Sequence, residues 1–123
     1  MLSSKNRLRK KSDINKVFKQ GAYMAGNFIF LKFAKNNLNT NRFTFVVSSK
    51  ISKKAVLRNK IKRQLREIFK KIAFKHQPGF DFLVVVKPGI IDKKFREIEK
   101  EINEIFNSKN NKNISKELFH DLG

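Results

Sequence analysis

The run 50–71, KISKKAVLRNKIKRQLREIFKK, sets ten Lys and Arg side chains against a single acid, Glu67. The chemistry open to such a run is the holding of a polyanion. Drawn as a helix over 56–72, the segment places Arg58, Lys62, Arg66 and Lys70 at i,i+4 spacing, with Asn59 and Arg63 beside them. Like charges so placed repel by roughly 0.2–0.5 kcal/mol per pair, a cost that a bound polyanion removes. A guanidinium fork matches two phosphate oxygens at once, and an amide reaches a phosphate, a 2′-hydroxyl or a base edge. The plain alternative is a solvated helix face in a Lys-rich chain. Against it stand the lack of interleaved acids, a clean apolar stripe and the charge of the whole chain.

Residues for bond-breaking chemistry are not gathered in the same way. A metal-dependent nuclease needs converging carboxylates or histidines. Here five of the ten acids are dispersed between Asp92 and Glu104, and Asp13, Glu67, Asp81, Glu117 and Asp121 stand apart. His76 falls in a turn and His120 near the end, a poor pair for acid–base work. There is no Cys, which removes disulfides, thiolate nucleophiles and Cys-type zinc sites. No Walker A motif is present, and Gly79 and Gly89 belong to Pro-Gly turns. Chemistry is expected to belong to a partner.

The 123 residues suit one domain, and 40% hydrophobic content with 13 Phe can fill its core. A net charge of +19 points to a partner of dense phosphate charge, with nucleic acid first. No apolar stretch reaches the roughly 20 residues of a membrane span and no signal peptide pattern opens the chain, so a cytoplasmic protein without a membrane is expected.

The elements that must position the cations follow from periodicity. Ser12 and Asp13 are N-cap candidates for a short helix through Ile14, Val17 and Phe18, with Gly21 as its C′ residue. Segment 27–34 alternates as a strand, Phe28, Phe30 and Lys32 on one face and Ile29, Leu31 and Phe33 on the other. A polar turn at 36–41 and a second strand at 42–48 complete an expected hairpin, with Phe43, Phe45 and Val47 opposing Thr44, Val46 and Ser48. In the basic helix, Leu57, Ile61, Leu65, Ile68 and Ile72 make the stripe that packs. The FDFLVVV run at 80–86 reads as a buried, parallel strand. Ile91, Phe95, Ile98, Ile102, Ile105 and Phe106 then trace an amphipathic scaffold helix, its outer face carrying Glu97, Glu101, Glu104, Arg96 and Lys100. Residues 114–122 either form a short terminal helix or stay loose.

The string 50–67, with Arg58-Asn59-Lys60 at its centre, resembles the basic helix region of the protein subunit of bacterial ribonuclease P. Arg7-Leu8, Val17-Phe18 and Gly21 are similar to that family's opening segment, and 82–86 followed by Lys87-Pro88 to its last strand. Three departures stand out. Lys60 replaces the second Arg of the family motif, Ile14 stands where Phe is common, and the loop before Ala55 reads Ser52-Lys53-Lys54 where a Gly is usual.

The resemblance implies a single α+β domain like domain 2 of ribosomal protein S5. It would have a mixed four-stranded sheet, the order αβββαβα, a short first strand near 22–24, and a left-handed βαβ crossover through the basic helix, against the general right-handed preference. Together with the charge of residues 1–11 and the polar composition after 107, this divides the chain into a basic arm (1–11) that orders only against a partner or the rest of the fold, the domain (12–107) and a polar tail (108–123). In function the resemblance implies the RNA-binding subunit of a ribonucleoprotein endonuclease that removes the 5′ leader of precursor tRNA. The RNA subunit performs the hydrolysis with Mg²⁺, which it binds in the main; the protein supplies no catalytic residue, and no metal site is assigned to it.

The resemblance assigns Lys50, Lys53, Lys54, Arg58, Asn59, Lys60, Lys62, Arg63 and Arg66 to the catalytic RNA. To the precursor leader, received in a cleft between the first helix and the sheet, it assigns Arg7, Arg9, Ile14, Phe18, Phe30 and Lys32. For Phe18, base stacking and core packing both fit its place in the sequence. Partners are the catalytic RNA and precursor tRNA, with no obligate protein partner. The nearest alternative is a ribosomal or other non-catalytic structural RNA-binding protein; a DNA-binding architectural protein and a stand-alone nuclease are more distant ones.

Overall fold

The segment Phe80–Val86, apolar on both faces, has to lie inside a sheet, and its place there organises the molecule. The structure, a computed structural model, describes residues 4–75 and 78–107. In chain order they form α1 (Lys11–Gln20), β1 (Ala22–Ala25), β2 (Ile29–Lys35), β3 (Arg42–Val46), α2 (Ala55–Lys75), β4 (Phe80–Val86) and α3 (Phe95–Asn107), with 3-10 turns at Ser4–Asn6 and Pro88–Ile90. The order αβββαβα is the one the resemblance implies. The sheet runs β1-β2-β4-β3, with β4 antiparallel to β2 and parallel to β3. Helix α2 therefore joins two parallel neighbours.

The expected hairpin of β2 and β3 does not form, because β4 sits between them. The link that was read as its turn instead crosses the start of β4 and satisfies it. Asn36 N donates to Gly79 O at 2.8 Å, Gly79 N to Thr40 O at 3.3 Å, and Phe80 N to the buried Asn41 Oδ1 at 3.0 Å. Asparagine was a turn signal in the sequence; here it serves as a strand cap. Asn37 takes a φ of 60°, a left-handed conformation that Asn tolerates better than most residues.

One face of the sheet carries the main core. Ile29, Leu31 and Phe33 of β2 and Phe82 and Val84 of β4 meet Ile61, Leu65, Ile68, Phe69 and Ile72 of α2 and Ile98, Ile102, Ile105 and Phe106 of α3. Phe43 and Phe82 stack at 5.0 Å between centroids, and Phe69 and Phe106 close the cluster at 5.2 Å from Phe43 and 5.8 Å from Phe82. The opposite face is only partly covered. There Leu8, Val17 and Leu83 form a small buried cluster with Ile14, Ala34 and Val85 at its margin, so α1 lies on β2 and β4 and leaves the β1 side open.

The N-terminal segment is tied to the outer edge of β3. Arg7 bridges Phe43 in parallel, Leu8 N donates to Phe43 O at 2.8 Å, and Asn6 Nδ2 donates to Asn41 O at 2.8 Å. This covers part of an edge that would otherwise stand unpaired.

Several local expectations are corrected. Helix α1 begins at Lys11 after Lys10, without a side-chain cap, so neither Ser12 nor Asp13 is its N-cap. Gly21 has φ −73°, not a left-handed value; a glycine is needed because a Cβ there would overlap the Val17 carbonyl oxygen and lie 3.0 Å from that of Phe33. Ile91 is exposed ahead of α3, and Ile90 is buried in its place. Glu101, expected on the outer face of α3, is buried: it accepts the amides of Asn27 and, at 2.7 Å, Phe28, gripping the β1–β2 turn. Asp81 does not stand apart but is buried against Arg42. His76, His120 and the tail 108–123 lie outside the described residues.

Candidate nucleic-acid interface

Helix α2 buries its stripe as expected, Leu57 half-buried and Ile61, Leu65, Ile68 and Ile72 fully, with Phe69 added to it. That burial turns the cations outward. Asn59, Lys60, Arg63 and Lys70 are exposed, and Arg58, Lys62 and Arg66 are half-buried along the flank. Ion pairs within the fold join Arg42 to Asp81 and Asp13, Lys71 to Glu99 and Lys93 to Glu97. None of them takes up Lys60, Lys62, Arg63 or Arg66. The ridge keeps its charge available.

The loop before α2 is fastened from both ends. Buried Ile51 anchors it, Ser52 Oγ accepts the Lys54 amide at 3.1 Å, and Arg58 donates to Ser52 O at 2.7 Å. Lys50, Lys53 and Lys54 are thereby presented, exposed, beside the first turn. Arg58 spends one of its five N–H donors on this brace and keeps the others. Val56, 81% exposed in the same turn, adds an apolar surface among the charges.

A second surface lies on the open face of the sheet. Val17 faces the small cluster, which turns Phe18 out, 55% exposed. Lys32 of β2 reaches it: Nζ donates to Phe18 O at 2.7 Å and lies 4.5 Å from the ring centroid. A cation over a ring gains about 0.5–1 kcal/mol at an exposed site, so the ring is held in place although little of it is buried. Phe30, two residues before Lys32 on the same face, packs against Tyr23 of β1 at 5.5 Å. Aromatic faces beside an ammonium form the arrangement that holds single-stranded nucleic acid.

Three of the leader residues expected from the resemblance, Phe18, Phe30 and Lys32, are thus together. The other three are not. Ile14 packs at the margin of the Leu8–Val17–Leu83 cluster, Arg7 is half-buried beside β3, and Arg9 is exposed before the start of α1. Arg9 precedes the start of α1 at Lys11, and seven helical steps of 1.5 Å, about 10 Å, carry the chain from there to Phe18. Tyr23 escaped the sequence reading because β1 has only four residues. Alternation about the buried Met24 was the one signal that could have turned it outward.

Near the start of α1, Asp81 of β4 takes two hydrogen bonds of 2.7 Å from Arg42 of β3 and one of 2.8 Å from Asn36. Hydrogen bonding to Asp81 raises the Arg42 pKa further above its ordinary value, against the opposing effect of burial. Asp13 of α1 approaches the same guanidinium at 3.5 Å. These carboxylates are committed to holding helix and sheet together.

A mixed sheet with α1 on one face and two helices on the other, and an exposed cationic ridge on α2, define a small α+β protein with a strongly basic helix face. The family model described as Ribonuclease P matches residues 2–110. The ribonuclease P protein component of Syntrophomonas wolfei is 36% identical over 101 residues, 82% of this chain and 84% of the relative, and that of Fusobacterium nucleatum is 36% identical over 109 residues, 85% and 97%. The solved RNase P protein of Thermotoga maritima superposes with a TM-score of 0.73 at 29% identity, covering 84% of this chain and 97% of that one. For the Staphylococcus aureus RNase P protein the values are 0.75, 28%, 83% and 93%. The chain belongs to the bacterial ribonuclease P protein family, whose members are subunits of a tRNA-processing endoribonuclease.

Proposed function

We propose that this chain works in the cytoplasm as the gripping subunit of that endonuclease, with its two surfaces serving two RNAs. The α2 ridge and its loop, Lys50, Lys53, Lys54, Arg58, Asn59, Lys60, Lys62, Arg63 and Arg66, neutralise the backbone of the catalytic RNA. The groove of Phe18, Phe30 and Lys32 receives the unpaired 5′ leader of precursor tRNA, with Arg7 and Arg9 further along its path. Ile14 supports α1 from beneath. Hydrolysis, and the Mg²⁺ that it requires, belong to the RNA.

The observation that carries this reading is that Lys60, Lys62, Arg63 and Arg66 of α2 enter no ion pair among the described residues. A solvated helix that had no polyanion to meet would gain from interleaved acids, and this one sets Lys60, Lys62, Arg63 and Arg66 against no carboxylate among the described residues. The assignment of catalysis to the RNA is supported by the engagement of Asp81, Glu97, Glu99 and Glu101 in contacts within the fold.

The test incubates precursor tRNA with the protein, with its cognate catalytic RNA, or with both, at low and at high Mg²⁺. The protein alone is expected to leave the substrate intact, and the RNA at low Mg²⁺ is expected to need the protein. Cleavage by the protein alone overturns the non-catalytic role. Catalytic RNA indifferent to the protein at every Mg²⁺ concentration returns the chain to the class of structural RNA-binding proteins.

A further inference from the structure

Tyr23 is 54% exposed on the open face of the sheet, as much as Phe18. It stands opposite Lys32 in the β1–β2 register, and its ring rests against Phe30 at 5.5 Å with an interplanar angle of 43°. Lys32 therefore lies between two aromatic surfaces, Phe18 from the helix side and Tyr23 with Phe30 from the strand side. Of its three ammonium donors the Phe18 carbonyl takes one, and two remain.

We propose that Tyr23, backed by Phe30, is a second base-stacking platform of the groove, and that Lys32 holds the phosphate joining a nucleotide stacked on Tyr23 to its neighbour stacked on Phe18. The proposal rests on the leader reading above and specifies it: the groove takes two adjacent unstacked nucleotides and one phosphate. A ring stacks on any base, so this grip is tolerant of sequence. The competing role for Tyr23 is mechanical, a cross-strand partner that stiffens the short strand β1. That role predicts a loss of stability and no effect tied to one nucleotide.

The two roles separate in a scan of the leader. Holoenzyme is assembled from the catalytic RNA and wild-type, Phe18→Leu, Tyr23→Leu, Tyr23→Thr or Tyr23→Phe protein. Each is offered precursor tRNAs in which one leader nucleotide at a time is abasic, and affinity and melting temperature are measured. With wild-type protein, abasic substitution at two adjacent positions is expected to weaken binding by about fivefold or more, in line with the measured worth of a base–aromatic stack. Tyr23→Leu and Tyr23→Thr should be insensitive to one of these positions only, Phe18→Leu to the other only, and Tyr23→Phe should match wild type.

If Tyr23→Leu and Tyr23→Thr keep both sensitivities, or lose both together, the second platform is refuted while the leader reading stands. If wild-type holoenzyme senses no leader position at all, the leader reading fails and the platform with it.

Discussion

Arg42 and Asp81 face each other across the parallel pair β3–β4 and are joined by two hydrogen bonds of 2.7 Å, the Asp81 side chain 6% exposed and that of Arg42 20%. The pair lies where α1, the 36–41 link and the sheet meet. It does for this end of the groove what packing does elsewhere. Because the native Arg42 pKa is raised, its contribution is fully present below the unfolded pKa of an arginine and is lost only as pH climbs through the higher native value. It is therefore constant across neutral and acid pH as far as Arg42 is concerned.

Removing one partner leaves the other buried and unmatched. Arg42→Met is expected to lower stability by about 3 kcal/mol, the low end of the range for breaking a buried pair. Asp13→Ala, which removes a longer and half-exposed contact, should cost under about 1 kcal/mol. Urea unfolding of both variants measures the difference, and equal costs would contradict the ranking.

On α2, exposed Arg63 can be truncated without touching the core. Arg63→Ala is expected to weaken assembly with the catalytic RNA by about 1–3 kcal/mol, the range for charged hydrogen bonds, with an unchanged melting temperature. Wild-type binding should fall steeply with salt, and less steeply in the variant. Salt-titrated affinity measurements check both statements.

Arg58 serves two purposes and should show it. Arg58→Ala removes the Ser52 brace along with the charge, so it is expected to weaken RNA assembly by more than Arg63→Ala and to loosen the 50–54 loop as well. Hydrogen exchange at the Lys54 amide, hydrogen-bonded to Ser52 Oγ, reports the second effect. Unaltered protection there would mean that Ile51 holds the loop unaided.

For Phe18 the expected outcome is a split between binding and stability. Phe18→Leu should reduce affinity for precursor tRNA more than for mature tRNA, by about 1–3 kcal/mol, and leave melting nearly unchanged because the ring is largely exposed. A large thermal loss with no change in leader preference would return the ring to a packing role.

Glu101→Ala strips the amides of Asn27 and Phe28 of their acceptor. The expected cost is about 2–3 kcal/mol, from two donors left partly buried and unsatisfied. Calorimetry on the free protein measures it, and a neutral substitution would show that water replaces the carboxylate.

The elements that repeat were legible in the sequence, and the contacts between them were not. The α2 stripe of Leu57, Ile61, Leu65, Ile68 and Ile72 is legible because five apolar positions recur at helical spacing, and β4 because an apolar run bounded by Gly and Pro can only be interior. The partner of β2 was misread since a polar link looks the same whether it turns back or crosses a strand end. The sequence pattern puts Glu101 on the outer face of its helix and leaves Asp81 isolated, because a lone carboxylate carries no mark of the backbone amides or the guanidinium that will meet it. Within the groove, Phe18 was visible as an aromatic residue on a helix, and its outward direction followed only once Val17 was seen to face Leu83.

The insertion of β4 between two strands that precede it by dozens of residues has a consequence for assembly during synthesis. A nascent chain ending before Phe80 has the residues of β2 and β3 and no ladder to join them. Loop closure over the whole of α2 must therefore come before the sheet is complete. Peptides cut at the 75–80 junction should consequently behave as two halves of a clasp, each unable to hold native structure until it meets the other.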